Sequence, residues 1–153
     1  MTSPSRVGPR QGVDALQTTL AGEHAAVWVY GVLGGQTSQS THPTLYDDVS
    51  AAYRIHRGRR DQLIRTVTDH GAEPVASEVG YQLPNDVSTP ARVTTAARVT
   101  EQRCATTYAD MVARTTGAQR GWAIRALTDA AVRQLRFRGS PETFPGAGEL
   151  ADR

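Results

Sequence analysis

Apolar residues return at helical spacing in four separate stretches of this chain. The first runs from about Val13 to Leu33 and puts Val13, Leu16, Leu20, Glu23, Val27 and Tyr30 on one face. Gly34 and Gly35 are expected to end it, because glycine takes the left-handed closing conformation without steric cost. The second opens at Pro43 or Thr44, where Thr44 and Asp47 stand at capping-box spacing. Its stripe is Leu45, Val49, Tyr53, His56, Arg60, Leu63 and Val67, and Gly71 stops it. Thr89 and Pro90 form an N-cap and first-turn pair for the third. That stripe is Val93, Ala97, Glu101, Cys104, Tyr108 and Met111, with Gly117 beyond its end. The fourth spans about Gln119 to Arg138, with Trp122, Ile124, Ala126, Leu127, Ala131 and Leu135 as its apolar positions and Gly139 and Pro141 to close it. No Asn-Gly or similar hairpin dipeptide separates alternating runs, so the fold class is all-α.

The connections arrange these helices. Short loops join the first to the second and the third to the fourth, which makes two antiparallel hairpins. Between the hairpins lies GAEPVASEVGYQLPNDVS, long and without helical periodicity. Two hairpins with one long crossover is the connectivity of ferritin-like four-helix bundles, and it makes helices two and three parallel. The expected organisation is a flexible segment over 1–11, a bundle over 12–139 with its crossover at 72–88, and a tail over 140–153. Helices of roughly 20 residues set a bundle about 30 Å long.

Three charged groups fall on apolar stripes: Glu23, His56 and Glu101. Counting from the expected helix ends puts them at one depth. Glu23 lies 11 residues before Gly34, His56 lies 13 after Pro43, and Glu101 lies 11 after Pro90. The fourth helix passes the same depth near Arg133.

The segments LAGEHAAVWVYG, HRGRRD, GYQLP and FPG resemble the small ferritin-like domain of unknown function found in actinobacterial proteins, over roughly Leu16 to Gly146. The resemblance implies the ferritin-like bundle and no established activity. The wider superfamily binds two metals with one Glu from each of two helices and Glu-x-x-His from the other two. On that pattern Glu23 matches the first-helix Glu, His56 the second-helix His and Glu101 the third-helix Glu. Tyr53 stands where the second bridging Glu belongs, and the fourth helix has no Glu-x-x-His; Asp129 is its only acid.

Two cations need several carboxylates to balance their charge and fill their shells. Two carboxylates, one histidine and a nearby guanidinium do not provide that. The expectation is therefore a vestigial metal site: a buried polar layer of Glu23, Tyr53, His56, Arg60, Glu101 and Arg133. There Arg133 and Arg60 balance the carboxylates, His56 bridges them and Tyr53 adds a hydroxyl. No metal or other cofactor is expected. The alternative is an iron or manganese site on Glu23, His56 and Glu101.

Composition narrows the rest. All 17 basic residues are arginine, which removes lysine Schiff-base and P-loop chemistry. A single cysteine, Cys104, excludes an internal disulfide and multi-cysteine metal sites, and its place on a core stripe makes it a small buried hydrophobe. A net charge of +2 is too small to argue for nucleic acid, which is not expected as a partner. Arg54, Arg57 and Arg65 read as a solvated face of the second helix. His24 is placed at a helix seam or on the surface. Neither a membrane span nor a signal peptide is visible, so a cytoplasmic protein without membrane association is expected. Trp28, Val29, Val32 and Leu33 leave the first helix apolar on more than one face, to be covered by a homodimer partner or by the crossover. The functional expectation is a homodimeric, non-enzymatic binding or interaction protein with an unknown protein or small-molecule partner. A metal-dependent oxidoreductase using Glu23, His56 and Glu101 is the alternative.

Overall fold

The computed structural model describes residues 8–138. It is an all-α four-helix bundle of α1 (Pro9–Gln36), α2 (Pro43–Asp69), α3 (Pro90–Arg114) and α4 (Gly117–Arg138), with no strand among the described residues. Residues 1–7 of the expected N-terminal segment and the 140–153 tail lie outside the described residues, as do Gly139, Pro141 and the FPG segment. Residues 9–11, expected to be flexible, already belong to α1.

Cross-helix contacts fix the directions. Glu23 meets His56 and Gly31 faces Tyr53, so α1 and α2 are antiparallel. Thr19 reaches Met111 and Tyr30 reaches Ala97, so α1 and α3 are antiparallel as well. Helices α2 and α3 therefore run parallel, across the diagonal of the bundle. Helix α4 pairs antiparallel with α3, through Tyr108 against Trp122 and Glu101 against Arg133.

The crossover makes that topology possible by travelling back along α1. Gln17 donates to the Glu73 carbonyl at 2.7 Å and accepts from the Val75 N–H at 2.9 Å. His24 meets the Val75 carbonyl at 3.0 Å, and the Trp28 and Tyr81 rings sit 6.1 Å apart. Leu83 and Val87 then pack beside Trp28 on the cluster of Val29, Tyr30, Leu33 and Val93. The second apolar face of α1 is thus covered by the crossover, and His24 is buried beneath it.

The helix ends differ from their sequence signals at two places. Helix α1 runs through Gly34 and Gly35 to Gln36, and neither glycine has a positive φ. Closure comes from Thr37, whose N–H bonds the Gly34 carbonyl while its hydroxyl bonds the Leu33 carbonyl at 2.7 Å. Helix α2 is capped at His42 with no side-chain cap bond, so the Thr44–Asp47 box does not form and Pro43 takes the first turn instead. Thr89 does cap α3, accepting from the Arg92 N–H. Gly71, at φ +74, turns the chain out of α2. Helices of 28, 27, 25 and 22 residues make the bundle longer than the expected 30 Å, about 33–42 Å at 1.5 Å per residue.

Candidate functional site, a buried ionic layer

Between the two main apolar clusters, His56 joins Glu23 and Glu101. Its Nδ1 lies 2.7 Å from Glu23 Oε2 and its Nε2 lies 3.0 Å from Glu101 Oε1. All three side chains are at most 1% exposed. A ring with a carboxylate on each nitrogen donates from both only as the imidazolium. Burial alone lowers the His56 pKa, but the charges of Glu23 and Glu101 outweigh it and raise it to about 9. Burial likewise pushes the Glu101 carboxyl up, yet His56 and then Arg133 hold it below its ordinary value.

Two tyrosines complete the carboxylates by an exchange between α1 and α3. Tyr30 donates to Glu101 Oε1 at 2.6 Å, and Tyr108 donates to Glu23 Oε1. Each tyrosine follows a glutamate of its own helix by seven residues, two turns along the same face, and serves the glutamate of the other helix. Burial and the neighbouring carboxylate keep both phenols protonated, with pKa values well above the ordinary range. The Tyr30 ring also stacks on His56 at 5.3 Å.

Arginines close the layer toward α4. Arg133 Nε donates to Glu101 Oε1 at 2.9 Å, and its Nη2 pairs with Asp129. Arg59 also pairs with Asp129, donates to Tyr108 Oη at 3.1 Å and lies over that ring. Glu23, Glu101 and Asp129 are thereby balanced by His56, Arg59 and Arg133, so the group carries no net charge. Both partly buried arginines keep their protons: desolvation works against them, but Tyr108 and Glu23 beside Arg59, and Glu101 and Asp129 beside Arg133, outweigh it.

The structure brings together Glu23, His56 and Glu101, expected from the stripes, and Arg133, expected from its depth. It does not bring Tyr53 or Arg60 to them. Tyr53 is half-buried against Gly31 on the α1 side, and Arg60 turns outward to Asp61, bonding Oδ1 from Nε at 2.9 Å and Nη2 at 2.7 Å. Their roles fall to Tyr30, Tyr108 and Arg59. The two tyrosines were visible on the α1 and α3 stripes, and their matched spacing to the glutamates was the available signal. Arg59 had none, because it lies off the α2 stripe.

The group is also thicker than a single level. Glu23 stands opposite Tyr108 and Glu101 opposite Tyr30, two turns or about 10 Å apart along the axis, with His56 between them. Counting from helix ends missed this because the ends of α1 and α3 are not flush. Arg54 and Arg57 point to water, and Cys104 is buried with its thiol pushed up by burial and by Glu23.

The donor set does not suit a metal centre. Both His56 nitrogens are committed to carboxylates, and Glu101 Oε1 receives Tyr30, His56 and Arg133. Of the oxygens of Glu23 and Glu101, only Glu101 Oε2 is buried without a partner, too little to fill a coordination shell. Among the described residues no group of three or more His, Cys, Asp or Glu is placed to hold a metal ion. No helix among them is long and apolar enough to cross a membrane.

Comparison with known proteins gives relatives of unknown function. The crystal structure of a conserved hypothetical protein from Mycobacterium tuberculosis superposes with a TM-score of 0.78 at 30% identity, covering 90% of this chain and 98% of that one. No functionally curated protein matches the chain. The family model described as a domain of unknown function, DUF4439, matches residues 15–149. With nearly the whole helical bundle inside that match, the chain belongs to the DUF4439 family.

Proposed function

We propose that this protein is a ferritin-like bundle whose metal site has been replaced by a charge-neutral ionic layer, and that it works in the cytoplasm by binding rather than by catalysis. The observation that carries this reading is His56, held by a carboxylate on each ring nitrogen while Arg133 occupies Glu101. In a metal site those nitrogen and oxygen lone pairs face a cation. Here protons and guanidinium groups take that place, and binding two divalent cations would require expelling both arginines from the layer. The layer also offers no opening for a substrate, since Glu23, His56 and Glu101 are fully enclosed. Its contribution is to specify how four helices meet, and the surface remains for recognition.

Elemental analysis of the purified protein for iron, manganese and zinc tests this. Well under one equivalent of each is expected. Two equivalents, lost on Glu101→Ala, would overturn the reading in favour of a metal-dependent oxidoreductase on Glu23, His56 and Glu101.

A further inference from the structure

Helices α2 and α4 are held together by long side chains rather than by interlocked ridges. Arg136 spans to Asp48, Arg59 to Asp129, Trp122 to Gln62 and Gln119 to His70. Where this seam passes Trp122 it opens into a cleft of about 220 Å³. Its floor is Leu16, Leu63 and Met111, each at most 2% exposed, and the Trp122 indole forms a wall, fixed by its N–H to Gln62 at 3.0 Å. An apolar cavity of about 150 Å³ is enough to hold one benzene molecule, so this cleft has room for a short hydrocarbon chain with its end at the mouth.

The mouth carries one charge. Arg125 is exposed, lines the cleft, and has no carboxylate partner among the described residues. It lies back over Gly121, where an added Cβ would stand 3.5 Å from Arg125 Nη1. A floor of Leu16, Leu63 and Met111, an aromatic wall, and a single guanidinium at a rim otherwise lined by the neutral Gln62, Thr66 and Gln119 are the complement of an amphiphile with one anionic end.

We infer that the α2–α4 cleft is a binding site for a small monocarboxylate with an apolar tail, the tail against Met111 and the carboxylate on Arg125. This assigns a ligand class to the binding reading above and rests on it, but the two fail separately. Metal bound at Glu101 would sink the layer argument, whereas the cleft stands or falls on Met111.

The 153-residue chain offers a clean reporter, since Met1 and Met111 are its 2 methionines. With methyl-labelled methionine, sodium hexanoate is expected to shift the Met111 resonance saturably, and hexylammonium chloride to bind at least tenfold more weakly. Arg125→Gln should weaken hexanoate at least fivefold and remove that preference. Ala118→Trp, at an exposed rim position, should abolish the shift while thermal unfolding is unchanged. No saturable Met111 shift, a shift that survives Ala118→Trp, or equal binding of the two probes would each overturn the proposal.

Discussion

The buried imidazolium makes stability depend on pH in a calculable way. His56 is protonated in the folded state up to about pH 9, whereas in the unfolded chain it titrates at 6.5. A group whose folded pKa is raised contributes stability that is complete below the unfolded value and is lost as pH rises through the folded one. Between pH 6.5 and about 9 the folded state holds one more proton, so stability should fall by about 1.4 kcal/mol per pH unit. The whole interval amounts to about 3 kcal/mol, a large share of the roughly 5–15 kcal/mol that stabilises a domain. This chain suits the measurement, because with arginine as its only basic residue besides histidine no lysine titrates above the interval. Cys104 contributes with the same sign at its alkaline edge, since burial raises its thiol pKa, so Cys104→Ala is the proper background. Urea unfolding followed by circular dichroism at half-unit steps from pH 6 to 9.5 reads the slope directly. In His56→Gln the fall should disappear, whatever the absolute stability of that variant. A flat or rising profile from pH 6.5 to 9, or a fall that survives His56→Gln, would refute the imidazolium and with it the charge balance of the layer.

Arg133→Leu should cost about 3 kcal/mol, the lower end for breaking a buried pair, because Glu101 keeps Tyr30 and His56 as donors. Arg57→Leu, on the exposed face, should stay within about 0.5 kcal/mol; equal urea midpoints would place Arg133 outside the layer. Tyr108→Phe removes a hydrogen bond to a buried carboxylate and should lower stability by about 1.5–3 kcal/mol. Tyr53→Phe should be nearly silent in the same unfolding experiment, and a comparable loss there would restore Tyr53 to the site.

Much of this molecule was legible before any tertiary structure. Periodicity located all four helices, and the length of the crossover against two short loops set α2 parallel to α3. That inference works because a helix rises a constant 1.5 Å per residue and a chain must return to the end from which the next parallel helix starts. Glu23, His56 and Glu101 were recognisable because a charge on an apolar stripe is buried and must find a partner. Arg133 followed from depth alone.

Angle within a helix is local; what stands at that angle is not. Relative to His56, Tyr53 and Arg60 are turned about 60° and 40° one way and Arg59 about 60° the other, at 100° per residue. The first side meets α1 and solvent, and the second meets Tyr108 and Asp129. Nothing in YRIHRGRRDQL says which neighbour lies on which side, so the choice between Arg59 and Arg60 was decided by assembly. The same holds for the exchange of tyrosines, which depends on the offset between α1 and α3, and for the second face of α1, which the crossover covers by bonding Gln17 and His24. The sequence by itself determined that Glu23, His56 and Glu101 had to be buried and paired. Only the tertiary structure decided their partners, because register between helices is set by the packing of all four at once and by no single helix.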